Sequence, residues 1–223
     1  MIEIILLISA VLFIFALKLF GRPSTAHRAN SFAMLAMALA VFSAFNFDFS
    51  KYDSAFYITI VVSGLLGVLI SKRVQMTQMP ELVGLFNGFG GGASGAIAYV
   101  ELSNTSLPIS DVFVAIFSMV IGIFTFSGSL IAVLKLRGKL NNFSTKLGNI
   151  LSVFLPTILI IPAVLEMDTF LNEFIILVAL IAGVIRVAVI GGADMPVVIA
   201  FLNALSGIAA MSAGFIVNSI ILI

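Results

Sequence analysis

Long apolar runs, each close to twenty residues, follow one another along the chain with only short polar interruptions between them. They predict spans at roughly 2–20, 31–47, 55–71, 80–100, 111–134, 147–165, 171–190 and 196–217. A helix needs about 20 apolar residues to cross the hydrocarbon core, whereas a transmembrane strand needs about 10 with alternating polarity. The runs are therefore helical, since a helix satisfies its own backbone groups inside the bilayer. The first begins at residue 2 without a basic leader segment or a small-residue cleavage site, and more spans follow it, so it reads as a retained helix. The predicted fold class is an all-α integral membrane protein, a bundle of about eight transmembrane helices.

Composition agrees with the pattern. Hydrophobic residues make up 61% of the chain and charged residues 9%, with a mean hydropathy of +1.26, whereas soluble domains are about one quarter charged. The few charges are sorted. Lys18, Arg22, Arg28, Lys72, Arg73, Lys135, Arg137, Lys139, Lys146 and Arg186 fall in or beside the odd-numbered connections. Glu3, Asp48, Asp53, Glu101, Asp111, Glu166, Asp168 and Glu173 fall at the N-terminus or the even ones, where Lys51 is the basic exception. The positive-inside rule then places the N-terminus outside and the odd connections in the cytoplasm. The net charge of +1 hides this separation and implies no nucleic-acid partner. No connection is long enough for a soluble domain, so residues 1–223 read as a single transmembrane domain. Without cysteine there is neither disulfide nor thiolate metal site.

One phrase occurs twice. Met79-Pro80 is followed by Asn87 and Gly91, and Met195-Pro196 by Asn203 and Gly207, at identical spacing and 116 residues apart. The copies are four spans apart, so the fourth and eighth helices run in the same direction. The spacing predicts two parallel four-helix repeats, an arrangement that places a site at the shared interface. At about 1.5 Å per residue each asparagine lies roughly 10 Å beyond its proline, inside the hydrocarbon zone. Polar groups at that depth line a path or bond a neighbouring helix, and such bonds average only ~0.6 kcal/mol. Path-lining is favoured over packing.

Gly84, Gly88 and Gly92 form one stripe and Asn87, Gly91 and Gly95 another, which predicts two closely packed sides and a central position for the fourth helix. The run Gly88 to Gly92 has the glycine content of a dinucleotide loop, but it follows no strand and sits inside a span. Thr125, Ser127 and Ser129 add hydroxyls to the fifth span, where bonding back to the helix is the plainer role. His27, the single histidine, is placed in the first cytoplasmic connection. No cluster has metal-ligand spacing, and no nucleophile, base and orienting acid assemble. No catalytic residue and no metal site is assigned.

Glu81 and Asp194 are acids on the basic side of the membrane, both at the entry of a repeat helix. Proline suits the first helical turn, and an acid there complements the helix dipole. For Glu81 this structural role and a functional one stand level. Asp194, preceded by Gly191-Gly192, is read as facing a partner surface, since glycine lets another backbone come close.

The stretches KRVQMTQMPELVGLFNGFGGGA (Lys72 to Ala93) and GGADMPVVIAFLN (Gly191 to Asn203) resemble the beta subunit of proton-translocating NAD(P) transhydrogenase, and Phe126-Ser127-Gly128-Ser129 resembles a third segment of that family. The resemblance implies a membrane part that conducts protons while hydride passes between NAD(H) on an alpha subunit and NADP(H) on a C-terminal beta domain. Carried over by position, Asn87, Ser129 and Asn203 would line the proton path, with Glu81 near its cytoplasmic mouth. Asp194, with Gly191 and Gly192, would face the NADP(H)-binding domain. The family pattern continues through a ninth span and that nucleotide domain, so this chain is read as truncated before them, binding no cofactor itself. The implied partners are alpha subunits, a separate or missing NADP(H)-binding domain, a second copy of the complex and the lipid bilayer, in a bacterial inner membrane. Many relatives hold histidine where this chain has Asn87; others place a histidine on the alpha subunit. A small-solute transporter or channel of parallel repeats, and a structural assembly subunit, are the alternative readings.

Overall fold

The computed structural model describes residues 2–44, 53–103, 107–140, 169–220 and 222–223, and among these no strand occurs. Seven α-helices are described: α1 (Ile2–Phe20), α2 (Ala26–Ala44), α3 (Ser54–Arg73), α4 (Met79–Leu102), α5 (Ile109–Leu136), α6 (Thr169–Ala188) and α7 (Met195–Ile216). The expected span at 147–165 lies outside the described residues, as do Asp48, Lys51, Lys146, Glu166 and Asp168. Helices α6 and α7 therefore correspond to the seventh and eighth expected spans.

Among the described residues, five helical segments are long and apolar enough to cross a membrane: Ile2–Phe20, Ser54–Arg73, Ile109–Leu136, Leu171–Ala188 and Gly192–Ile216. The protein is an integral membrane protein. Helix α4 is 24 residues long, but its glycines, Asn87, Glu81 and Glu101 dilute its apolar character. Its polarity is concentrated where the site lies.

Helix α2 starts at Ala26, earlier than the expected 31, because a 3₁₀ turn at Pro23–Thr25 leads straight into it. Thr25 Oγ1 donates to Leu19 O at 2.5 Å and to Arg22 O at 3.1 Å, closing the end of α1 and turning the chain within a few residues. His27 is thereby moved from the connection into the first turn of α2, where it is exposed.

The described chain forms two compact units, Met1–Arg73 and Val74–Ile223. In the first, α1 and α2 pack along small residues, with Ala16, Ala29 and Ala36 buried. Ser9 Oγ donates to Ala36 O at 2.7 Å, and Phe15 meets Phe32 edge-on with centroids 5.2 Å apart. Helix α3 has no buried residue.

In the second unit α4 shares the central position with α5, which packs against α4, α6 and α7; α4 also packs against α7. The reason lies in α5's own small residues, Ala115, Ser118, Gly122, Thr125, Ser129 and Ala132, all buried. Both glycine stripes of α4 turn mainly toward them. A Cβ built on Gly88 would stand 3.1 Å from Ser129 Cβ, and one on Gly92 would stand 3.1 Å from the Phe126 ring. Apolar clusters close the two ends, one around Met119 and Ile175 and the other around Met195, Val187 and Leu202.

Between α4 and α5 the approach is tightest at Gly122, whose built Cβ would lie 2.5 Å from Gly91 O and 2.7 Å from Gly95 N. Both obstacles are backbone, so they yield only if α4 moves. Gly122→Ala is expected to destabilise the unit by about 1–3 kcal/mol, the usual overpacking cost. Gly67→Ala, with nothing within 4 Å of the built Cβ, should not. Thermal unfolding of the two purified variants in detergent checks the contrast.

Candidate functional site

The two copies of the Met-Pro phrase fold alike. A 3₁₀ turn, Met76–Gln78 or Gly192–Asp194, precedes each helix, and each proline sits in the first helical turn, where its missing N–H leaves no bond unmade. Gln75 and Gly191 are both extended, at φ −76°, ψ 154° and φ −63°, ψ 149°. Gln78 and Asp194 match as closely, at φ −94°, ψ −2° and φ −90°, ψ −1°. The matched entries carry Asn87 and Asn203 to the same distance along their helices. They do so on two helices that touch.

Asn87 is buried, and its Nδ2 donates to Ser129 Oγ at 3.0 Å. Ser206 Oγ donates to the backbone carbonyl of Asn87 at 3.2 Å, joining α7 to the same point. Asn203 is exposed but borders the same open groove as Asn87, a volume of about 590 Å³ between α4 and α7. Its polar groups are Asn87, Asn203 and Ser206, set among Val83, Phe86, Gly90, Gly207 and Ala210. The structure thus brings Asn87 and Ser129 into direct contact and puts Asn203 beside Asn87 along the groove.

Two buried atoms at this level, Asn87 Oδ1 and Thr125 Oγ1, have no hydrogen-bond partner among the described residues. Thr125 stands one helical turn from Ser129, against Gly91. Buried polar groups are nearly always paired, with protein or with water. Amides and hydroxyls so placed can hold ordered water, but with an amide rather than a base beside Ser129 its hydroxyl is not activated as a nucleophile, and neither amide nor hydroxyl titrates near neutral pH.

At the entry side, Glu81 does more than complement the dipole of α4. Its Oε2 accepts from Arg137 Nε at 2.7 Å, tying the start of α4 to the end of α5. Arg137 is half exposed, so the pair adds little stability, about 0–1 kcal/mol. Glu81 is not in contact with the Asn87–Ser129 pair; it sits two turns below it on the same helix.

Asp194 is exposed, at the N-cap of α7, and its side chain makes no capping bond. The matched turn explains why. In the first copy Gln75 N–H donates to Gln78 Oε1 at 3.2 Å, closing the turn with a side chain. In the second copy the equivalent residues are Gly191 and Asp194; the carboxylate lies back over Gly191, its Oδ2 3.7 Å from a Cβ built there, but makes no side-chain bond that closes the turn. Gly191 and Gly192 are each partly exposed beside it.

Three residues that the sequence pattern left aside belong to this picture. Ser206 had a signal, since it follows Asn203 by one helical turn. Arg137 and Lys135 had none, because their cationic side chains were explained by charge sorting alone. Lys135 is buried, and its Nζ donates to Ala188 O and Ile190 O, each at 2.5 Å.

The family model for the NAD(P) transhydrogenase beta subunit matches residues 2–223. The chain is 31% identical over 231 residues to NAD(P) transhydrogenase subunit beta of Rhodospirillum rubrum, and equally to that subunit from a specified strain of the species. Each alignment covers 97% of this chain and 50% of the relative, so the chain spans about half the length of the curated relatives it matches. By the match along nearly its whole length, the chain belongs to the NAD(P) transhydrogenase beta-subunit family.

Proposed function

We propose that this chain is the proton-conducting membrane part of a transhydrogenase, coupling proton translocation to hydride transfer between NAD(H) and NADP(H) that other domains bind. The observation that carries the reading is the buried Asn87–Ser129 pair at the edge of the groove that Asn203 also borders. A polar pair at membrane depth is costly unless it faces the bundle interior or water, and there it marks a pathway. Asn87, Ser129 and Asn203 order the water through which the proton moves. Glu81 stands near the cytoplasmic mouth, and Asp194 with Gly191 and Gly192 meets the NADP(H)-binding domain.

The amides of Asn87 and Asn203 and the hydroxyl of Ser129 exchange no proton near neutral pH, and histidine is the side chain suited to that task. His27 lies at the start of α2, far along the sequence from either asparagine. The open side of the groove then takes a helix of the alpha subunit that supplies a histidine, the oriented complex lying in a bacterial inner membrane with the N-terminus outside.

Reconstitution tests the reading. The chain, the alpha subunit and an NADP(H)-binding domain are assembled in vesicles, and proton movement is followed while hydride passes between the nucleotides. Proton movement that stops when the intramembrane histidines of the alpha subunit are replaced supports the partner relay. Unchanged pumping leaves a chain of ordered water as the conductor, and hydride transfer with no proton movement in any preparation refutes the proposal.

A further inference from the structure

The end of α5 carries two cations, Lys135 in its last turn and Arg137 at its C-cap, that reach the entries of the two matched helices. Arg137 holds Glu81 in the first turn of α4. Lys135 reaches the other entry: its ammonium bonds the carbonyls of Ala188 and Ile190, which end α6 and begin the turn leading to Asp194. Those carbonyls belong to a helix C-terminus, where the last groups lack intrahelical partners and a cation is favoured. Burial of a lysine at 5% exposure is costly without such partners, so the side chain is committed to this seat. A Cβ built on Gly192 would come within 3.7 Å of Lys135 O, so the turn also lies on the backbone of α5.

Both turns are closed by a backbone bond, Gln78 N–H to Gln75 O at 2.9 Å and Asp194 N–H to Gly191 O at 3.1 Å, but only the first adds a side-chain closure. In the first copy Gln78 closes its own turn by accepting from Gln75 N–H; in the second, glycine at 191 supplies no side chain, and the exposed Asp194 carboxylate, its Oδ2 3.7 Å from a Cβ built on Gly191, makes no closing bond. The structure assigns to Lys135 the role of a positioning residue that fixes the turn at Gly191–Asp194 from α5 and so sets where the Asp194 carboxylate is presented. The consequence for coupling rests on the proposed function; the anchoring itself does not.

The chain contains no cysteine, so Ala193→Cys in the full chain gives a unique site for a spin label on the exposed turn, and Ser24→Cys one on the turn before α2. Losing charge-assisted bonds should raise the mobile fraction at Ala193 about tenfold in Lys135→Gln, with the Ser24 label unchanged. Lys135→Arg, which keeps charge and donors, should stay near the native value. An immobile Ala193 label in Lys135→Gln, or equal loosening at both sites, overturns the assignment. Should Lys135→Gln fail to accumulate, Lys135→Arg decides: a native-like label supports the anchor and a loosened one overturns it. In the assembled enzyme, Lys135→Gln should depress coupled turnover and Lys135→Arg recover it. A loosened label beside native coupled turnover keeps the anchor and refutes the coupling role of the turn.

Discussion

Asn87→Leu is expected to insert and accumulate like the native chain while proton translocation in the assembled enzyme falls at least about tenfold, a barrier change of ~1.4 kcal/mol. Two roles for Asn87 predict different results here. As packing glue, its bond to Ser129 is an interhelical hydrogen bond in a membrane, worth ~0.6 kcal/mol on average. Leucine is close in size, and the released Ser129 hydroxyl can bond back to its own helix. The substitution also removes Asn87 Oδ1, a buried acceptor with no partner among the described residues. The folding cost is therefore small. As a path residue, Asn87 holds water at a level where α4, α5 and α7 all contribute polar groups, and leucine closes that point. Asn87→His makes the complementary test, because imidazole is polar and also titrates; it should conduct. Translocation assays in vesicles, normalised to inserted protein, separate the two, and native pumping by Asn87→Leu would remove Asn87 from the path.

How far the sequence reached depends on what each residue's surroundings demand. The helices were legible because twenty apolar residues in a row have few other solutions, and the two Met-Pro entries because proline at a helix start restricts the backbone the same way in both copies. The depth of Asn87 followed from its distance to Pro80. Its partner did not: Thr125, Ser127 and Ser129 all carry hydroxyls within a turn or so, and the choice of Ser129 is made by Gly88, which lets α5 approach at that level. Ser127 instead bonds back to Phe124 O at 3.1 Å. The central position expected for α4 is shared with α5, which packs against α4, α6 and α7, because glycine stripes announce close packing without naming the neighbour. Nor was the burial of Lys135 legible. A lysine at the end of a span looks like an ordinary membrane-side charge, and only the carbonyls of Ala188 and Ile190, more than fifty residues away, turn it inward.

Asp194→Asn should leave insertion, abundance and thermal stability almost unchanged and yet reduce proton-coupled transhydrogenation by an order of magnitude or more, about 1.4 kcal/mol or above in the coupled step. The substitution keeps the shape of the side chain and removes its charge. Asparagine and aspartate are equivalent N-caps, and Asp194 makes no capping bond in any case. What folding loses is the attraction between an exposed carboxylate and the start of α7, about 0.3–1 kcal/mol and screened by salt. A stability role for Asp194 therefore has almost nothing to act through. A coupling role has: the carboxylate is exposed, acidic on a basic side, carried on a turn that glycine leaves open, and backed by α5 through Lys135. The two readouts must be taken on the same preparation, unfolding temperature on the purified chain and proton movement on the assembled complex. A variant that melts as the native chain does and pumps as the native enzyme does would end the coupling assignment, and one that melts many degrees lower would return Asp194 to the fold. The expected combination, native melting with lost coupling, requires the Asp194 charge to have a partner outside the described residues, among which it makes no ion pair.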